Sequence, residues 1–286
     1  MNASVVDDRK DDEELKRFSI GLARGTAGAL LFALPMLMTM EMWYLGLYVS
    51  RERLLLLCIL NIPLLIALSH RVGFERTVTW VDAIRDAVIA YGLGVAVSAL
   101  ILLMFGILDD QVTASNLVAK IALQSVPASI GALLGRSQLG MHSEDDDEKK
   151  DDERGETGYG HELFMMVVGA LFLNLNVAPT EEMILIAYKI TPFHAFCLAL
   201  LSIALIHGFV YALHFKGGHQ LAEGMNGWQS FVRFTLPGYV IALLISVYTL
   251  WTFERLDHTS LSQMVMPAII LGFPASIGAA AARLIL

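Results

Sequence analysis

Long apolar runs separated by short polar connections set the pattern of this chain. A window of about 20 residues, the length that crosses a bilayer core as helix, picks out eight runs. They are 25–49, 53–70, 81–107, 114–135, 163–188, 192–214, 230–253 and 262–285. The runs are continuously apolar and lack period-two alternation, so they read as helices and not as barrel strands. The expected fold class is all-α, a polytopic membrane protein with eight transmembrane helices.

The second half of the pattern echoes the first. PASIGA occurs at 127–132 and again at 274–279, an offset of 147. Trp80, Arg85, Tyr91, Ser98 and Phe105 are matched by Trp228, Arg233, Tyr239, Ser246 and Phe253 at an offset of 148. IALSH ending at His70 is echoed by IALIH ending at His207. Gly28, Ala29, Leu30, Thr39, Glu41 and Met42 are matched by Gly169, Ala170, Leu171, Thr180, Glu182 and Met183 at an offset of 141. Four matches in one order, covering both halves, read as an internal duplication of a four-span unit. Four is even, so both copies would enter the membrane from the same side as parallel four-helix repeats. The expected organisation is an acidic tail at 1–19, a first repeat at 20–135, an acidic linker at 136–160 and a second repeat at 161–286.

Composition agrees with lipid as the medium: 56% of residues are hydrophobic and mean hydropathy is +0.59. The net charge of −8 argues against nucleic acid. Acidity concentrates in the N-terminal tail and in 143–157 (SEDDDEKKDDERGET). Both segments read as solvated, disordered polyelectrolyte. The charged first residues precede an apolar run too long for a signal peptide, so no cleavable signal is expected. Twelve Lys and Arg, among them Arg9, Lys16, Arg71, Arg136, Lys149 and Lys216, fall in the tail, the even-numbered loops and the C-terminus, against four in the opposite loops. That asymmetry places both termini and the linker in the cytoplasm, with the chain in the cell membrane. Cys58 and Cys197 lie in apolar segments and read as buried packing residues.

Polar residues inside the spans carry the candidate chemistry. The stretch at 169–187, GALFLNLNVAPTEEMILIA, holds Asn174, Asn176, Pro179, Glu181 and Glu182. A weaker copy at 28–42 keeps Pro35 and Glu41. A carboxylate within the bilayer costs at least about 2.5 kcal/mol, so it needs a partner or a role. In unbroken helices Glu41 and Glu182 would lie about 9–12 Å below the outer helix ends. Pro179 removes a backbone hydrogen bond and frees carbonyls, Pro-Thr-Glu-Glu is a helix-start signature, and Pro35 acts similarly before Glu41. Interrupted helices in corresponding positions of two halves point to a transporter site. Glu41 and Glu182 are therefore the candidate paired ligands or proton carriers, with Glu181, Asn174, Thr39 and Thr180 adding oxygens for a hard cation. Converging acids would raise at least one pKa, so that a proton could exchange with the cation.

His207 lies inside the sixth span, two turns before His214, and reads either as an imidazole bonded to a neighbouring helix or as a proton-relay step. Arg85 and Arg233 read as arginines snorkelling beside tryptophan anchors. PASIGA reads as packing, its small residues and the pairs Gly131/Gly135 and Gly278/Ala282 letting helices approach closely.

The duplicated eight-span layout, the glutamate in the first helix of each half and the acidic central loop resemble a family of uncharacterised prokaryotic integral membrane proteins. The resemblance covers 20–286 and implies a polytopic membrane protein, with no activity or site residue to carry over. Glu181-Glu182 followed by His207 is also similar to glutamate-dependent intramembrane proteases of the prenyl-protease type. Here Ile186 stands at that motif's arginine and Ile203 at its phenylalanine, and Glu41 would have no role. No Walker loop, GxSxG, HExxH or CxxC occurs. The expected function is a cation transporter, exchanger or channel. The alternatives are a non-catalytic membrane subunit or scaffold and, third, the protease. The expected partners are the lipid bilayer and a small cation or proton, with no other cofactor.

Overall fold

The structure, a computed structural model, describes residues 3–72, 79–108, 113–139, 159–215 and 227–285. Among them every regular element is helical. In chain order these are α1 (Ala3–Leu37), α2 (Met40–Tyr48), α3 (Arg51–Val72), α4 (Trp80–Met104), α5 (Ala114–Leu139), α6 (Tyr159–Val177), α7 (Glu181–Lys189), α8 (Pro192–Phe215), α9 and α10 (Leu261–Ile285). Helix α9 is one run made of Gly227–Ser230, a π-helical segment Phe231–Thr235, and Leu236–Thr252. Eight of the helices are long and apolar enough to cross a membrane, as the hydrophobic pattern predicts; α2 and α7 are not among them.

Two expectations change. Residues 3–19, read from composition as a solvated tail, continue α1 as helix. Cys197 is exposed on α8 and Cys58 is half-buried, so neither is a core thiol. The linker residues 140–158, Arg76, Lys216 and the side chains of Arg71, Arg136 and His214 lie outside the described residues.

The chain divides into two compact units, Met1–Met38 with Leu55–Gly140, and Thr39–Leu54 with Met141–Leu286. The division falls at the break after α1, so α2 and the first turn of α3 fold with the second half of the chain. In the first unit α1 and α4 pack on α5, and Gly28 lies directly against the backbone of Gly131 and Gly135. In the second unit α6 and α9 pack on α10, and Gly169 lies directly against Gly278 and Ala282. Lipid is as apolar as leucine, so helix association there depends on close backbone approach, which these small residues permit. The second unit's core is Met166, Ala170, Ile206, Phe234, Tyr239 and a row of alanines. Large apolar side chains such as Phe193, Phe196, Leu200 and Leu201 on α8 are exposed, which suits a lipid-facing surface.

A Cβ at Gly169 would overlap the Gly278 carbonyl, whereas one at Gly92 would meet nothing within 4 Å. Gly169→Val should therefore cost about 3 kcal/mol by overpacking. Gly92→Ala should be neutral or stabilising by up to about 1 kcal/mol. Denaturation of the purified protein in detergent measures both, and equal stability of the two variants would refute this packing.

Candidate functional site at the helix breaks

Both interruptions fall where proline and threonine predict them. Helix α1 ends two residues after Pro35, and Thr39, in extended conformation (φ −94°, ψ 120°), precedes α2. Helix α6 ends at Val177, Pro179 follows, and Thr180 (φ −70°, ψ 144°) precedes α7. Glu41 and Glu182 each occupy the second position of a short helix, where the helix dipole favours negative charge. Glu41 is half-buried, and Glu181 and Glu182 are exposed. The depth expected for unbroken helices does not apply, because each acid begins a new helix beyond the end of its span.

The carbonyls at these breaks are taken by defined donors. At the first, the buried Gln124 amide donates to Met36 O (3.3 Å), and the Met38 N–H donates to Leu34 O (3.0 Å). At the second, the Thr180 hydroxyl and N–H both donate to Val177 O (2.8 and 3.1 Å). The Arg255 guanidinium donates to Pro179 O.

Arg255 is delivered by the C-terminal cap of α9. The Phe253, Glu254 and Arg255 amides donate to Thr249, Trp251 and Leu250 carbonyls, the same pattern that Phe105, Gly106 and Ile107 make at the end of α4. The left-handed position of that motif is Gly106 (φ 69°) in α4 and Glu254 (φ 60°) in α9. A side chain there costs about 1–2 kcal/mol. The Glu254 carboxylate accepts a hydrogen bond from the Ser50 N–H (2.7 Å), in the turn between α2 and α3. Arg53 donates to Trp251 O (2.6 Å), pairs with Asp257 (2.9 Å) and lies 4.8 Å from the Trp251 ring centre. Segment 39–54 is thus strapped to the end of α9. Tyr48 lies outside the eight spans. Burial pushes its hydroxyl pKa up, Arg255 pulls it down, and Glu254, Glu181 and Glu41 push it up in turn. Acids from both halves of the sequence therefore act on one group within the second unit.

The other predicted residues lie elsewhere. Asn174 is fully buried, its amide set between the Ser246 hydroxyl (3.0 Å) and the Leu271 carbonyl (3.1 Å); with its oxygen toward Ser246, both ends are satisfied. It joins α6, α9 and α10 and does not join the glutamates. His207 Nδ1 is 3.0 Å from Thr235 Oγ1, and its ring meets Phe231 edge-on. These partners lie on the π-helical segment of α9, at the level where Tyr159 of α6 donates to Arg233 O (2.8 Å). From there α6 rises 19 residues before α7 begins, about 28 Å. The convergence of Glu181, Glu182 and His207 that a protease would need is not formed. Among the described residues, no three or more His, Cys, Asp or Glu are grouped to hold a metal ion. Trp80 and Trp228 are exposed, and Arg233 lies over the Tyr159 ring at 5.2 Å.

Sequence reasoning missed Ser50, Tyr48, Arg53, Glu254 and Arg255. One signal was available: the offset of 148 sets Glu254 on Gly106, an acid replacing a cap glycine.

Eight apolar helices of bilayer length, joined by short connections, define an integral membrane protein. The chain belongs to the DUF2391 family of integral membrane proteins, which matches it over residues 21–286. No curated protein and no solved structure matches it.

Removing the Glu254 side chain loses the Ser50 hydrogen bond in either of two variants, but only glycine also relieves the positive φ. Glu254→Gly should be more stable than Glu254→Ala by about 1 kcal/mol. Thermal unfolding in detergent reads the difference, and Ala equal to or above Gly would count against this cap.

Proposed function

We propose that the protein moves a small cation or a proton across the cell membrane. Glu41 and Glu182 are its paired acids, and Glu181, Thr39 and Thr180 stand beside them. The observation that carries this reading is the strapping of α2 onto the second unit. It puts Glu41 in the same compact unit as Glu181 and Glu182, with Tyr48 within reach of charges from both helix starts. The broken helices support it further, since paired interruptions are how transporters present backbone oxygens and helix ends to an ion. Arg255 on the Pro179 carbonyl acts as a tethered cation on an oxygen that a mobile cation could otherwise use. In this reading the two halves are parallel repeats of an ancestral four-helix unit, 20–135 and 161–286. Both termini and the acidic linker face the cytoplasm.

A second reading rests on the exposure of Glu181 and Glu182 at the first turn of α7. Carboxylates there satisfy a helix dipole with no ion involved, and the protein is then a non-catalytic membrane subunit or scaffold.

Reconstitution separates the two. Glu41→Gln and Glu182→Gln should each lower ion- or pH-driven flux into liposomes, on the order of tenfold, while the purified proteins stay folded. Full flux in both variants, with only unfolding temperature changed, would overturn transport and leave the scaffold.

A further inference from the structure

Three buried side-chain oxygens of the first unit have no hydrogen-bond partner among the described residues: Asn61 Oδ1 on α3, Ser98 Oγ on α4 and Gln124 Oε1 on α5. Their residues are 2%, 0% and 1% exposed. They belong to a polar seam. Tyr91 of α4 lies near Cys58 of α3 and Ser125 of α5. The Asn61 amide nitrogen donates to Ser129 Oγ (2.9 Å), which itself donates to Val126 O (2.7 Å). Gly94 shares a face of α4 with Tyr91 and Ser98 and brings that face against Ser125 and Ser129. Helices α3 and α4 thus converge on the strip of α5 from 124 to 129, about 8 Å of helix rise.

An amide oxygen can only accept, so Asn61 and Gln124 each need a donor. A buried acceptor left unmet costs about 1–3 kcal/mol, and lipid offers no donor from outside. The positions of the second unit that match these three in sequence have no such need. They are Leu198, Leu271 and Ser246, and the Ser246 hydroxyl already meets Asn174 and the Ala242 carbonyl.

We propose that this seam binds water: a short row of internal molecules that donate to Asn61, Ser98 and Gln124 and give the first unit a hydrogen-bonded path of the kind a proton follows. Water is the smallest donor, and polar walls from three helices offer the two to four partners that an internal water takes. The site uses none of the glutamates and stands independently of the transport reading.

Radiolytic hydroxyl-radical labelling tests it, because the radicals form from water where it sits. The full chain is placed in lipid nanodiscs and oxidation is read by mass spectrometry. Two residues probe the seam, Tyr91 and Cys58. Two serve as controls: Tyr239, which matches Tyr91 in sequence but lies in the apolar core, and Cys197, exposed on lipid-facing α8. Tyr91 and Cys58 should label about tenfold faster than Tyr239 and Cys197. Rates equal to the controls would overturn the proposal. The double variant Asn61→Leu with Gln124→Leu should bring Tyr91 down to the Tyr239 rate, and fast labelling retained in that folded variant would also overturn it. Protection of Tyr91 by sodium chloride but not by choline chloride would make the occupant a bare cation and overturn water.

Discussion

A backbone carbonyl that leaves a helix beside lipid must find another donor, and this requirement shapes both ends of the molecule's broken helices. The two breaks meet it with different chemistry. At the first, a neutral amide, Gln124, reaches Met36 O from within the first unit. At the second, a guanidinium, Arg255, reaches Pro179 O. A neutral donor closes a carbonyl without adding charge. A cationic donor brings the charge that the acids of α2 and α7 call for, so the second break is electrostatically active where the first is not.

The same contrast runs through the interiors. Buried amides tie helices in both units, from different elements: Gln124 of α5 and Asn61 of α3 in the first, and Asn174 of α6 in the second. Asn174 has both ends met by Ser246 and Leu271. Gln124 has only its nitrogen met. The glycine contacts Gly28 with Gly131 and Gly169 with Gly278 hold the helices equally close in the two units. The closeness of the backbones is common to both, and the placement of polar side chains differs between them.

Much of the fold was legible because lipid imposes simple rules. Continuous apolar runs of bilayer length gave eight crossing helices, Pro-Thr-Glu-Glu gave the start of α7, and the small residues of PASIGA gave the tight contacts. The segment 39–54 was not legible as part of the second unit. Its ties to Glu254, Trp251 and Asp257 join residues some 200 positions apart, about 204 for Ser50 with Glu254, and no local pattern announces them. A hydropathy window also merges α2 with α1 and α7 with α6, so it could not place the glutamates at the starts of separate helices. The helical tail was hidden because overall acidity reads as a solvated coil.

Glu254 and Arg255 are neighbours in the chain, and the left-handed turn at Glu254 sends them to different tasks. One holds the amide of Ser50, the other the carbonyl of Pro179. Two grips are built on a single peptide unit, and any coupling between them is by reciprocity equal in both directions. Segment 39–54 and the start of α7 are both held from one turn of backbone.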